Sequence, residues 1–327
     1  MRGLARSAAW ACVLLLAAGA LAKGKPFVTK WYAFELRGGH ILVPVKIAGV
    51  ETHALLDTGA AIHMLDRSFA RQHGIGFSFN PAVEVQGAHS RERLPTARSV
   101  PIELFGAPVE LKFAPVSELS VADLVIGTGV LSSFVMQIDY ANSRIRFTSH
   151  DAVRLKEQAN MVLRRSSAGG LPALRANVDG EDVWLLLDTG LTGPLILTPR
   201  FANERDWPED VGAVAFDTFG AAKAMKRLRV PLISLGPYDL RGVIAAVPAD
   251  GRLPRLLTAY ETGRVRISGV LGAEILEHFL VTLDLKFMRA HLQHSPKVVE
   301  SWESSASQDE PASPEASAAE TGAAPAP

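Results

Sequence analysis

The sequence has almost no cysteine. Its 327 residues include one, Cys12, which lies in an N-terminal segment that we expect to be removed. A single cysteine excludes a disulfide framework within the chain and a zinc site built from several cysteines. The sequence also lacks an excess of either charge, because 34 Lys and Arg residues balance 34 Asp and Glu residues. Nucleic acid is therefore not an expected partner, since its binding depends on a basic surface.

Long hydrophobic runs are missing as well. The longest apolar stretch runs from Ala8 to Ala22 and is shorter than the roughly 20 residues that a membrane-spanning helix needs. Two arginines precede this stretch, and it ends in an Ala-x-Ala sequence. These features of residues 1–22 are typical of a secretory signal peptide cleaved after Ala22, and an uncleaved N-terminal membrane anchor is the alternative. We expect a periplasmic or secreted protein with no stable membrane span once the signal is removed.

The C-terminal end has a different composition. Residues 300–327 contain six acidic residues, no Lys or Arg, and otherwise mostly Ala, Ser, Pro and Glu. Such a segment has too little apolar surface to offset the entropy lost on folding. We predict a disordered tail over residues 300–327.

Between these ends, the sequence repeats itself. Residues 49–59 (GVETHALLDTG) align without a gap with residues 180–190 (GEDVWLLLDTG). Further along the chain, an apolar-apolar-Gly motif ends at Gly127 in the first copy and at Gly272 in the second. The spacing is longer in the second copy, and we place the additional residues between positions 236 and 268.

The repeat predicts two copies of one lobe, and each copy is mostly strand. Short apolar runs bounded by glycine turns are typical of strands, and only a few short segments are candidates for helices. We assign an N-terminal lobe to residues 27–150, a linker to residues 151–170 and a C-terminal lobe to residues 171–299. Both lobes lie in one chain, so we expect a monomer.

The two Asp-Thr-Gly triplets, which begin at Asp57 and Asp188, carry the chemistry. One such triplet alone is weak evidence, because it also occurs by chance and is compatible with an ordinary turn. Two triplets, each after an apolar strand, are more informative, because such a strand carries the aspartate into the interior. An ionised carboxylate is costly there unless it is compensated. We therefore expect the two carboxylates to lie together.

With these motifs, the chain resembles the DTG aspartic proteases of the retropepsin/pepsin clan, in the bacterial form that has two fused retropepsin-like lobes. The resemblance extends over residues 27–297. It implies a mostly β fold, in which two acid protease β-barrel lobes with a few short helices are related by a pseudo-two-fold axis. It also implies roles for the residues around the dyad. Thr58 and Thr189 would brace the two loops, Gly59 and Gly190 would let the backbone pass behind the carboxylates, and Gly127 and Gly272 would let two strands cross beside the loops.

The resemblance implies an aspartic-type endopeptidase, a hydrolase without metal or cofactor, and the predicted signal peptide makes it an exported one. Two adjacent carboxyls share a proton. The ionised member of the Asp57/Asp188 pair takes a proton from a water that attacks the peptide carbonyl, and the protonated member donates to the carbonyl oxygen. The substrate would be a polypeptide in extended conformation. His291 and His294 are three residues apart on a predicted strand and so face opposite sides, which argues against a metal site there.

Substrate flaps are expected in two hairpins, over residues 83–94 and 213–228. Their tips would contain Gly87, Ala88 and His89 in the first lobe, and Gly220 and Ala221 in the second.

The residues that follow the triplets, Ala60 and Leu191, carry no hydroxyl. A hydroxyl at this position favours the charged carboxylate, so its absence predicts a dyad that works nearer to neutral pH. Leu191 departs from the family pattern, and its bulk would narrow the site or bend the loop. This leaves open a catalytically impaired peptide-binding pseudoprotease of the same fold. A third reading is an envelope interaction module whose acidic tail recruits a partner.

Overall fold

The computed structural model describes residues 26–86, 91–167, 169–209, 214–218, 221–251 and 266–295. The predicted signal peptide and acidic tail, residues 1–22 and 300–327, lie outside these ranges. The described residues up to His294 belong to one compact unit, so both lobes are parts of the same body. Within the described ranges, no helix combines the length and the apolar character needed to cross a membrane.

The first lobe is built almost entirely from strands. They are β1 (Tyr32–Ala33), β2 (Glu35–Arg37), β3 (His40–Ile47), β4 (Val50–Leu56), β5 (Met64–Asp66), β6 (Phe77–Gln86), β7 (Arg91–Leu104), β8 (Ala107–Ser117), β9 (Leu124–Ile126), β10 (Val135–Asp139) and β11 (Arg144–Thr148). Its helical segments are α1 (Arg67–Gln72), α2 (Thr128–Leu131) and a 3-10 turn (Tyr140–Asn142).

The second lobe repeats this plan. Its strands are β12 (Met161–Arg165), β13 (Pro172–Val178), β14 (Glu181–Leu187), β15 (Leu195–Leu197), β16 (Val214–Thr218), β17 (Ala221–Leu235), β18 (Tyr238–Pro248), β19 (Ile267–Leu271), β20 (Phe279–Asp284) and β21 (Arg289–His294). Its described helices are α3 (Leu155–Gln158), α4 (Pro199–Ala202) and α5 (Ala273–Leu276). The predicted mostly β fold with a few short helices is confirmed.

Each lobe closes into a six-stranded barrel. In the first lobe, the strand order is β3-β4-β9-β5-β8-β7, and pairing between β3 and β7 closes the ring. In the second lobe, the order is β13-β14-β19-β15-β18-β17, and pairing between β13 and β17 closes it. In the first lobe, residues 118–123 connect β8 to β9. In the second lobe, residues 249–266 connect the equivalent strands β18 and β19. The additional residues of the second copy therefore lie in this connection, where residues 252–265 are outside the described part of the chain.

Buried apolar side chains of the strands fill the barrels. On β3, Val43, Val45 and Ile47 are buried, whereas Pro44 is exposed and Lys46 is half-buried; at the start of the strand, Ile41 and Leu42 are both buried. This period of two places one face of the strand toward the apolar core.

A sheet that continues from one lobe into the other joins the barrels. β10 of the first lobe pairs antiparallel with β20 of the second, and Gln137 lies opposite Thr282 at the centre of the register. The Gln137 side-chain amide donates to the Thr282 hydroxyl at 3.1 Å. Because these two residues occupy equivalent positions in the sequence repeat, the pseudo-two-fold axis passes between them.

The segment that was predicted as a linker forms regular structure of the second lobe. Residues 151–170 contain α3 and β12, and β12 pairs with both β13 and β21. The segment therefore contributes a strand that connects the second barrel to the central sheet.

Candidate active site

The first aspartate follows directly after β4. This strand runs parallel to β9, and the Asp57 amide continues the ladder by donating to the Ile126 carbonyl at 3.1 Å. The chain then turns, so that the amides of Gly59 and Ala60 donate to Asp57 Oδ1 at 2.7 and 3.1 Å. The loop thus holds one carboxylate oxygen with two backbone N–H groups.

The second loop has the same geometry. β14 runs parallel to β19, and the Asp188 amide donates to the Leu271 carbonyl at 3.0 Å. The amides of Gly190 and Leu191 donate to Asp188 Oδ1 at 2.8 and 3.1 Å. The two loops that are repeated in the sequence therefore also make equivalent hydrogen bonds to their aspartates.

The two carboxyl groups lie together and hydrogen-bond to each other. The glycine of each loop lies against the carboxyl of the opposite loop. A Cβ built on Gly59 would be 2.5 Å from Asp188 Cγ, and one built on Gly190 would be 2.6 Å from Asp57 Cγ. These distances leave no room for a side chain, so only glycine allows the two carboxyls to approach.

Two threonines connect the loops across the pseudo-two-fold axis. The Thr58 hydroxyl donates to the Leu187 carbonyl at 2.7 Å, and the Thr189 hydroxyl donates to the Leu56 carbonyl at 2.8 Å. Each hydroxyl also accepts the backbone N–H of the other threonine, at 3.0 and 3.1 Å. Both side chains are buried, so these bonds are shielded from water.

The glycine of each apolar-apolar-Gly motif lies against the loop of its own lobe. A Cβ on Gly127 would be 2.5 Å from the carbonyl oxygens of Ala60 and Ile62. In the second lobe, a Cβ on Gly272 would be 2.8 Å from the Leu191 carbonyl oxygen. In both lobes, this glycine therefore lies close behind the loop that carries the aspartate.

The dyad is electrostatically asymmetric. Asp188 is 2% exposed. Burial raises the pKa of Asp188 well above its usual range, and the negative charge of Asp57 is the second cause of this rise. The hydrogen bonds from the amides of Gly190 and Leu191 act in the opposite direction and lower the pKa. Burial also raises the pKa of Asp57. The hydrogen bond with Asp188, the loop amides and the positive charge of His40 oppose that rise. Asp57 is also less buried than Asp188.

A family model described as aspartyl protease matches residues 43–130 and 174–275, which together make up more than half of the chain. The chain belongs to the aspartyl protease family. Each matched region lies within one lobe, so both lobes of the chain carry the family's pattern.

A comparison with solved structures lists a retropepsin-like aspartic protease from Rickettsia conorii. It is 17% identical in sequence, covers 38% of this chain and 96% of its own, and has a TM-score of 0.28. The comparison with curated protein sequences gave no match.

Leu191 is a buried residue of this aspartyl protease loop. Its side chain is 5% exposed and packs in an apolar cluster that includes Leu171, Leu186 and Val270. Its amide bonds the aspartate at the same distance as that of Ala60, its counterpart in the first loop. The hydrogen bonds that hold the aspartate are therefore the same in both loops.

Both predicted flap segments form antiparallel hairpins. In the first, β6 and β7 pair as far as Gln86 opposite Arg91, and the predicted tip residues Gly87, Ala88 and His89 lie outside the described residues. In the second, β16 and β17 pair as far as Thr218 opposite Ala221. Gly220 lies outside the described residues, and the side chain of Ala221 is not described.

No cluster of three or more His, Cys, Asp or Glu side chains suited to a metal ion occurs within the described residues. His291 Nδ1 instead lies 2.6 Å from the Gln158 carbonyl oxygen.

One residue near the dyad was not predicted from the sequence. His40 begins β3, and its charge acts on Asp57. The sequence repeat could have pointed to this residue. Gly38-Gly39-His40 aligns with Gly169-Gly170-Leu171, and these two tripeptides differ only at the last position, where one has histidine and the other leucine.

Proposed function

We propose that the protein is an exported aspartic endopeptidase that hydrolyses peptide bonds with a water activated by Asp57 and Asp188. One observation carries this proposal. The two carboxyls hydrogen-bond to each other, in loops that each hold their aspartate with two amides and are braced by the opposite threonine. A non-catalytic peptide-binding protein has no need for two buried carboxyls that compete for one proton.

The mechanism follows from the shared proton. Two adjacent buried carboxyls do not both ionise readily, so the pair carries one proton and one negative charge over a broad pH range. The ionised member accepts a proton from a water molecule as the oxygen attacks the scissile carbonyl carbon. The protonated member donates to the carbonyl oxygen, which stabilises the tetrahedral intermediate. When the C–N bond breaks, a proton passes to the leaving amine.

The substrate of this reaction is an extended polypeptide that lies across both lobes, beneath the two hairpins. Main-chain hydrogen bonds would give affinity, and alternating side-chain pockets would give specificity. The protein would act as a monomer, because each lobe supplies one aspartate. No cofactor takes part in the proposed reaction.

A cleavage assay tests the proposal. The purified full chain is incubated with a mixed peptide library from pH 3 to 8, with and without pepstatin. We expect cleavage that pepstatin inhibits, with an optimum above about pH 4 because neither Ala60 nor Leu191 supplies a hydroxyl to the dyad. Asp57→Asn and Asp188→Asn should abolish it, and the exposed Asp151→Asn should leave it unchanged.

Two results would refute the proposal. One is no cleavage at any pH from protein whose cooperative unfolding shows that it is folded, which favours the peptide-binding alternative. The other is cleavage that persists in both dyad variants.

Export is tested separately. We expect the protein recovered from the periplasm or the medium to begin at Lys23. A protein that retains residues 1–22 in the membrane fraction would support the uncleaved anchor instead.

A further inference from the structure

We propose that the outer face of the central sheet docks on an anionic membrane surface. This sheet joins the two lobes through β11, β10, β20, β21 and β12, in that order. Its inner face belongs to the core, where Met136, Val281 and Ala290 are buried. The outer face takes no part in the proposed reaction, so the inference goes beyond that function and does not depend on it.

One row of paired residues crosses the outer face. Its members are directly opposed in the strand register, in the order Val28, Thr148, Val135, Asp284, Arg289 and Val162. Directly opposed residues of antiparallel strands have their side chains on the same face. The row begins and ends with an exposed apolar side chain, because Val28 is 53% exposed and Val162 is 56% exposed.

Phe287 lies beside the middle of this row. The turn between β20 and β21 presents it, because Asp284 Oδ1 accepts the amides of Lys286 and Phe287 at 3.1 and 3.0 Å. His150 Nδ1 lies 3.2 Å from the same carboxylate oxygen, and the centres of the His150 and Phe287 rings are 5.5 Å apart. The Phe287 side chain remains 49% exposed. A third apolar group is therefore open to solvent on this face.

Cations surround the exposed phenylalanine. The Lys286 ammonium and the Arg289 guanidinium lie 5.4 and 5.2 Å from the centre of the Phe287 ring. The Arg165 guanidinium donates to the carbonyl oxygens of Leu285 and Lys286 at 2.9 and 3.3 Å. Three positive charges thus lie at the turn that presents Phe287.

Acidic groups are fewer in the same region. Residues 149–165 and 284–289, which flank and complete the row, contain six Lys or Arg residues and three Asp or Glu residues. Of these three acidic residues, Asp284 is buried and Glu157 lies 4.0 Å from Arg154. The third, Asp151, is exposed. The region therefore carries a net positive charge.

An anionic bilayer matches both kinds of group on this face. Apolar side chains enter the boundary between headgroups and acyl chains, and Lys and Arg side chains are attracted to anionic lipids. A nucleic acid or an acidic polypeptide would bind the cations but leave Val28, Val162 and Phe287 in water. The combination of exposed apolar groups and cations therefore favours a lipid surface.

The N-terminal segment reaches the chain at the same place. Only residues 23–27 separate Val28 from the apolar stretch that ends at Ala22. Five extended residues span at most about 20 Å. If residues 1–22 stay in the membrane as an anchor, the linker is short enough to keep this face near the bilayer.

Vesicle binding tests the inference. The exported protein is sedimented with phosphatidylcholine vesicles that contain or lack phosphatidylglycerol. We expect binding to the anionic vesicles only, and we expect high salt to weaken it, because salt screens the attraction. Lys286→Gln combined with Arg289→Gln should weaken binding by about tenfold or more, since each cation near an anionic surface contributes several-fold. Phe287→Ala should weaken it by about tenfold, because the ring leaves the interface.

Matched variants on the first barrel serve as controls. Phe79 is an exposed phenylalanine outside the central sheet, and Phe79→Ala should leave binding unchanged. Lys46→Gln combined with Arg71→Gln removes two positive charges from the first lobe and should also leave it unchanged. Urea unfolding of each variant shows that it is folded.

A site-specific probe gives a second readout, which also works if the protein retains residues 1–22. Cys12 is the only cysteine and is replaced by Cys12→Ser. A polarity-sensitive fluorophore is then attached at Val162→Cys on the outer face, or at Phe113→Cys on β8 of the first barrel. Anionic vesicles should shift the emission of the Val162→Cys probe to the blue and leave that of the Phe113→Cys probe unchanged.

Three results would overturn the inference. The first is no shift of the Val162→Cys probe with anionic vesicles, or an equal shift of both probes. The second is equal binding to neutral and anionic vesicles. The third is binding of polyglutamate without binding of vesicles, which would indicate an acidic protein partner instead.

Discussion

Thr58 and Thr189 each hold the loop of the other lobe. Four hydrogen bonds connect the hydroxyl and amide of each threonine to the opposite triplet and to the strand before it. All of them are buried and span more than 120 residues of sequence. The position of the two carboxyls therefore depends on the assembly of both lobes and not on either loop alone.

Replacing Thr58 by alanine should destabilise the protein and lower kcat/KM. The variant leaves the Leu187 carbonyl and the Thr189 amide without partners, and each buried unsatisfied group costs about 1 to 3 kcal/mol. Urea unfolding measures the effect. Thr58→Ser keeps the hydroxyl and is the matched control. Equal stability of the alanine and serine variants would show that the brace contributes nothing.

Gly127→Ala should disrupt the crossing beside the first loop. The new Cβ would meet two backbone carbonyl oxygens at 2.5 Å, and backbone cannot rotate away as a side chain can. We expect a loss of about 3 kcal/mol in the free energy of unfolding. Gly76→Ala is the control, because a Cβ there has no neighbour within 4 Å and its φ needs no glycine. Similar losses for both variants would contradict the steric account.

Leu191 is a core residue by its packing, and truncation should show this. Leu191→Ala removes a side chain that is 5% exposed and should cost about 2 to 5 kcal/mol of stability, without an increase in kcat. Leu36→Ala, at a leucine that is 39% exposed, should change stability by less than about 1 kcal/mol. Higher activity in Leu191→Ala would instead mean that the leucine obstructs the site.

The dyad should reduce stability at neutral pH. The folded-state pKa of Asp188 lies above the unfolded value, so the unfolded state releases its proton at lower pH and stability falls as the pH rises from about 4. Asp188→Asn does not ionise. It should therefore be more stable than the wild type at pH 7, by about 0.5 to 2 kcal/mol, and equal to it near pH 3. Urea unfolding at the two pH values provides the measurement. A variant less stable than the wild type at pH 7 would contradict the direction assigned to Asp188.

Much of the fold was predictable because the chain repeats. The gap-free alignment of the two Asp-Thr-Gly segments predicted two similar lobes, and apolar strands before each aspartate predicted that the carboxyls would be carried inward. The family match and the two closed barrels confirm the aspartyl protease fold. Pairing of β10 with β20 was not predictable, because it depends on contacts between strands about 145 residues apart.

Details of the site depended on the assembled backbone. The sequence suggested that a bulky Leu191 bends its loop, but the loop is held by backbone amides, and the side chain points into an apolar cluster. His40 escaped notice because it lies 17 residues before Asp57, and only the antiparallel pairing of β3 with β4 brings the start of one strand to the end of the other.

The most direct test of the account is a comparison of cleavage rates for the wild type, Asp57→Asn, Asp188→Asn and the double variant. All are measured on one library-derived peptide at the pH optimum. If the two carboxyls act as one unit, each single variant loses as much activity as the double variant. Single variants that each keep substantial activity, with additive losses in the double variant, would contradict the shared-proton dyad.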